Sequence, residues 1–150
     1  MRTFVLVLII LSLSTYLSLG TQTDARRYRR NLVEFAKMIA AATGRNPLDY
    51  NGYGCYCGVG GFGTPVDNLD RCCQTHDSCY THLKRGRICQ GLQVYFLSYK
   101  TSSPLKCDSR NSRCGKALCE CDRDAALCFR ARRYNNKYKN YSNLKCLFQG

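Results

Sequence analysis

DRCCQTHDSCY at residues 70–80 and CECDRDAALCF at residues 119–129 together decide the fold. Each stretch holds two cysteines seven positions apart, Cys72 with Cys79 and Cys121 with Cys128, and seven residues make two turns of an α-helix. Cys72, His76, Tyr80 and Leu83 recur at steps of four, four and three, so they share one helix face. In the second stretch Leu118, Asp122, Ala125, Ala126 and Phe129 form an apolar stripe with one carboxylate in it. A carboxylate among apolar neighbours needs a partner. If the two helices run antiparallel, with Cys72 bonded to Cys128 and Cys79 to Cys121, His76 falls within about one turn of Asp122. Spacing alone leaves other readings open: roughly ten thousand pairings exist for twelve cysteines, His76 could be a satisfied core histidine, and Asp122 could pair with Arg123 or Arg130.

Outward from these stretches the chain divides into three parts. Residues 1–20, with Arg2, an apolar run from Phe4 to Leu13 and small residues at Ser18 and Gly20, read as a signal peptide. The apolar run is shorter than the ~20 residues a bilayer-spanning helix requires. Residues 21–30 end in Arg27-Tyr28-Arg29-Arg30, the clustered basic residues that processing proteases accept, and read as a propeptide. Residues 31–150 form one domain that contains all twelve cysteines, an even count that behind a signal peptide implies six disulfides rather than zinc ligands. About 120 residues bury only two-thirds or so of their unfolded surface, so such cross-links are needed. The whole chain carries +13; residues 1–30 hold five basic and one acidic residue, which leaves +9 on the domain. For a secreted chain that charge favours anionic lipid headgroups or acidic glycans over nucleic acid.

Residues 31–43, NLVEFAKMIAAAT, place Leu32, Phe35, Ile39 and Ala42 at helical spacing with Gly44 as a stop, which predicts an amphipathic N-terminal helix. NGYGCYCGVGGFG at residues 51–63 has too many glycines for a regular element and predicts a loop. Long helices are expected over residues 70–85 and 112–130, with a small hairpin within 99–108 and a basic, Tyr/Asn-rich tail from Arg132 tied down by Cys146 alone. Asn140-Tyr141-Ser142 is a glycosylation sequon on that tail. The expected architecture is mainly α-helical and disulfide-rich.

YGCYCGVGGFG from Tyr53, DRCCQTHDSCY from Asp70 and CECDRDAALCF from Cys119 resemble the secreted, calcium-dependent phospholipase A2 family, from Asn31 to about Cys146. The resemblance implies hydrolysis of the sn-2 ester of phospholipids at a membrane surface, and the positive charge favours an anionic one. It implies that Ca2+ is held by the backbone carbonyls of Tyr56, Gly58 and Gly60 and by both carboxylate oxygens of Asp77. Calcium takes six to eight oxygens, and glycines let successive carbonyls converge. His76 is then the general base, Asp122 orients it, Tyr80 and Tyr99 hydrogen-bond to Asp122, and the Gly58 amide donates to the oxyanion. Tyr95 competes with Tyr99 for its place, because the segment 93–107 is shorter than is usual in the family. Leu32, Phe35, Ile39 and Phe129 resemble walls of an acyl-chain channel, and each is equally a core residue.

The disulfide framework implied by the resemblance pairs Cys55 with Cys146, Cys57 with Cys73, Cys72 with Cys128, Cys79 with Cys121, Cys89 with Cys114 and Cys107 with Cys119. A seventh bridge found in some members is missing at both ends, and Glu34 stands where the family usually has Gln. The competing function is a catalytically silent homologue, a basic membrane-active toxin or receptor ligand. Such proteins typically lose the calcium aspartate, whereas Asp77, His76, Asp122 and the glycine loop are all present here.

Overall fold

The computed structural model describes residues 32–148. The expected signal peptide, the arginine-rich segment and the boundaries at Gly20 and Arg30 lie outside the described residues. Helix α1 spans 32–43 and ends where Gly44, at φ +66°, takes the left-handed conformation while its N–H donates to the Ala40 carbonyl at 2.9 Å. A single 3-10 turn, Pro47–Asp49, leads into the glycine loop. Helix α2, Asn68–Arg85, starts at Asp67, whose carboxylate accepts from the N–H groups of Leu69 and Asp70 at 2.9 and 2.8 Å. His82, Lys84 and Arg85 in its last turn oppose the negative end of the helix dipole.

Short helix α3, Gln93–Phe96, buries Val94 and was not signalled by the sequence pattern. Strands β1, Thr101–Ser103, and β2, Lys106–Cys107, then form an antiparallel hairpin with Thr101 opposite Cys107. Helix α4, Arg113–Arg130, is capped by Ser112, whose hydroxyl accepts from the Gly115 N–H at 3.1 Å. Its stripe of Leu118, Asp122, Ala125, Ala126 and Phe129 is buried throughout. Among the described residues no helix is long and apolar enough to cross a membrane.

The six disulfides join the cysteines in the pairs that the resemblance implied, and no described cysteine is free. Two of them rivet α2 to α4 in antiparallel order, with Cα–Cα distances of 5.9 Å for Cys72–Cys128 and 6.0 Å for Cys79–Cys121. Met38, Ile39 and Ala42 of α1 join Leu69, Leu83, Leu118 and Phe129 in one core against this pair.

The tail departs from expectation. It is held by much more than Cys146: Tyr134 donates to the Asp49 carbonyl at 2.8 Å, Lys139 pairs with Asp49 at 2.7 Å, and the Tyr141 N–H donates to the Gly52 carbonyl at 2.9 Å. The rings of Tyr134 and Tyr138 pack on Tyr53 at 4.9 and 6.0 Å. Helix α5, Asn143–Leu147, buries Cys146 and leaves Leu144 and Leu147 exposed.

Candidate active site

The α2–α4 rivets carry His76 and Asp122 into register. His76 Nε2 lies 2.7 Å from Asp122 Oδ1, the carboxylate fully buried and the histidine side chain 16% exposed. Two tyrosines complete the carboxylate's shell. Tyr80 on α2 donates to Oδ1 at 2.8 Å, and Tyr99 donates to Oδ2 at 2.5 Å. Burial pushes the Tyr99 phenol well above its ordinary range, and the Asp122 charge adds to the shift, so it stays a donor. Tyr95 is exposed, with Lys84 Nζ 6.0 Å from its ring centroid, and takes no part in this shell.

A carboxylate facing Nε2 favours the tautomer with the proton on Nε2, which leaves the Nδ1 lone pair available to accept one. The Phe35 ring stacks on the imidazole at 4.7 Å and 16°, and the Tyr80 ring flanks it at 4.7 Å. The ring is therefore fixed by packing as well as by hydrogen bonds.

The glycine loop is organised by a residue that the sequence reading did not single out. Asp70, fully buried in the first turn of α2, accepts from the N–H groups of Cys55, Tyr56 and Val66 at 2.8, 2.8 and 2.9 Å. Gly54 makes this possible: at φ +61°, an added Cβ would sit 2.3 Å from the Asp70 carboxyl carbon. A position six residues before His76 in the same motif was the only signal available. Within the loop the Cys55 and Cys57 carbonyls accept from Phe62 and Gly52, whereas no described backbone N–H donates to the carbonyls of Tyr56, Gly58 or Gly60.

Asp77 faces this loop. A Cβ on Gly61 would lie 2.6 Å from Tyr56 Cα and 3.1 Å from Asp77 Oδ2, so only glycine lets the strand of loop pass over the carboxylate. Among the described residues Asp77 has neither a hydrogen bond nor an ion pair, and burial pushes its carboxyl above the ordinary range; His76 opposes the shift and Asp70 adds to it. A desolvated carboxylate without a donor is costly unless a cation meets it. Among the described residues no three His, Cys, Asp or Glu side chains converge, so an ion here would draw on backbone oxygen. One carboxylate and neighbouring carbonyls are hard oxygen donors, and they fit calcium. Tyr56, Gly61 and Asp77 also line a cleft of about 410 Å³.

Of the four expected channel residues, Ile39 and Phe129 are buried, Phe35 is half-buried on His76, and Leu32 is 50% exposed at the start of α1. Leu32 is thus the most exposed of the four. Glu34 pairs with Lys37 at 2.8 Å on the exposed side.

A family model described as Phospholipase A2 matches residues 32–139. The chain is 50% identical over 118 residues to "Phospholipase A2" of Oryctolagus cuniculus, covering 74% of this chain and 82% of that one. It is 43% identical over 149 residues to "Phospholipase A2 A2-hormotoxin-Apt1a" of Adamsia palliata, covering 96% and 95%. Over 122 residues it is 48% identical to "Phospholipase A2, membrane associated" of Homo sapiens, covering 77% and 81%.

Proposed function

The chain belongs to the phospholipase A2 family and is an enzyme that hydrolyses the sn-2 ester of phospholipids, and from that premise we propose that His76 is its general base and Asp122 the residue that orients it. The observation that carries this reading is the buried Asp122 carboxylate, held by Tyr80 and Tyr99 and aimed at His76 Nε2 at 2.7 Å.

His76 Nδ1 takes a proton from water as the oxygen attacks the sn-2 carbonyl carbon. The tetrahedral adduct then collapses, the bond from carbon to the glycerol oxygen breaks, and the imidazolium returns its proton to that leaving oxygen. A fatty acid and a lysophospholipid result. Asp122 keeps the ring in the tautomer that can accept and stabilises the imidazolium while it lasts. The Gly58 N–H donates to the oxyanion, and the apolar face of Phe35 excludes water from one side of the ring. Asp77 and the carbonyls of Tyr56, Gly58 and Gly60 would hold calcium, which when bound offsets negative charge on the carbonyl oxygen.

The working enzyme starts at Asn31, after loss of a signal peptide at 1–20 and a propeptide at 21–30, and acts outside the cell. Its net +9 draws it to anionic phospholipid. Leu32, beside Phe35 at the start of α1, sits where an acyl chain would enter.

The test is release of sn-2 fatty acid from phosphatidylcholine and phosphatidylglycerol vesicles by protein starting at Asn31. Hydrolysis should rise with calcium on the order of 10⁻⁴ to 10⁻³ M, the range of extracellular sites with few carboxylates, and vanish in chelator. Asp77→Lys should abolish calcium binding and hydrolysis while vesicle adsorption persists. Full activity in excess chelator, or in folded Asp77→Lys protein, contradicts the calcium assignment.

A further inference from the structure

We propose that Asn140 carries an N-linked glycan, one per chain, an inference that rests on the reading of the protein as secreted. Asn140-Tyr141-Ser142 is the one place in the sequence where Asn is followed two residues later by Ser or Thr. It lies on the surface between the 3-10 turn Asn136–Tyr138 and α5, with both Asn140 and Ser142 exposed.

The two groups that the transfer requires are not used by the fold. Ser142 occupies the N-cap position of α5 but makes no side-chain cap hydrogen bond. Among the described residues the Asn140 amide likewise holds no hydrogen bond. Three other asparagines differ: Asn46 and Asn135 accept from the N–H groups of Leu48 and Lys137, and Asn111 exchanges two hydrogen bonds with the Lys100 backbone. Those amides build turns, whereas the Asn140 amide is left to solvent.

The backbone presents it. Asn140 adopts φ +51°, a left-handed conformation that asparagine tolerates better than most residues. Its neighbours are tied inward, Lys139 to the Asp49 carboxylate at 2.7 Å and the Tyr141 N–H to the Gly52 carbonyl at 2.9 Å. Asn140 is therefore held at a fixed, exposed corner. Six disulfides require an oxidising compartment, where such transfers occur in secreted chains. The donor class is an oligosaccharide on a lipid diphosphate. The Asn140 Nδ2–carbon bond forms at the sugar's anomeric carbon, the carbon–oxygen bond to the diphosphate breaks, the lipid diphosphate leaves, and the amide loses one proton with no change of oxidation state.

The experiment expresses the full chain in a eukaryotic secretory host and measures the intact mass of protein from the medium before and after peptide N-glycosidase. The expected result is one glycan per chain, removed by the enzyme with conversion of Asn140 to Asp in the mapped peptide. Ser142→Ala removes the hydroxyl the transfer needs, and Asn140→Gly removes the acceptor while keeping a residue at ease with positive φ. Both should fall to zero glycans and hydrolyse phospholipid at the wild-type rate. Wild-type protein secreted without a glycan, or a glycan that survives both substitutions, overturns the proposal. A wild-type chain that never reaches the medium contradicts the secretory reading beneath it.

Discussion

Tyr99 and Tyr95 are four residues apart and alike in chemistry, yet only Tyr99 reaches Asp122, at 2.5 Å. Tyr99→Phe should therefore cost about 1.5–3 kcal/mol in denaturant unfolding, the worth of a hydrogen bond to a charged group. Tyr95→Phe should cost almost nothing; equal losses would remove Tyr99 from its assigned place. The pH dependence has a definite sign. The folded-state Tyr99 phenol is raised above its ordinary 10.0, so its contribution is intact below pH 10 and declines as pH rises past it, because the unfolded chain alone ionises there. Tyr99→Phe should reduce that alkaline slope by one proton. At this scale the meeting of His76 and Asp122 was legible because helical spacing allows it once the family resemblance supplies the pairing of Cys72 with Cys128 and Cys79 with Cys121. Choosing between the tyrosines needed the path of the chain through α3 and the hairpin, which has no repeating pattern to read.

Between α2 and the glycine loop, one carboxylate fixes the backbone that would hold calcium. Asp70 holds the loop backbone from beneath, and Gly54 leaves the room for it. Two glycines separate strain from crowding. Gly44 and Gly54 have similar φ, +66° and +61°, but an added Cβ meets nothing within 4 Å at Gly44 and the Asp70 carboxylate at Gly54. Gly44→Ala should cost about 1–2 kcal/mol, the left-handed penalty alone. Gly54→Ala should cost that and about 1–3 kcal/mol more for overpacking, and should raise the calcium needed for half-maximal hydrolysis. Equal costs in thermal unfolding would mean that the loop does not rest on Asp70. The loop and both long helices could be read from glycine content and from periodicity. Asp70 could not, because nothing in DRCC distinguishes a carboxylate that turns under a preceding loop from one that faces water. The tail escaped for a related reason: Tyr134, Tyr138 and Lys139 look like solvated surface until Asp49, Gly52 and Tyr53 are brought beneath them.

For the whole molecule, the proposed roles of charge and of the start of the chain concern action at a surface. Protein retaining residues 21–30 should be much weaker on vesicles than protein starting at Asn31, since the extra arginine-rich segment precedes the helix with Leu32 and Phe35. On monomeric substrate the two forms should differ less, and equal vesicle activity would remove the propeptide assignment. The central claim, that His76 is the base in a phospholipase, is tested most directly by sn-2 fatty acid release from phosphatidylglycerol vesicles in calcium by His76→Gln protein. That protein must first be shown by circular dichroism and calcium titration to be folded and loaded. The imidazole supplies the proton acceptor but no metal ligand, so turnover should fall at least ~10²-fold while calcium affinity is retained. Turnover near that of the wild type in the folded, calcium-loaded variant would contradict the account.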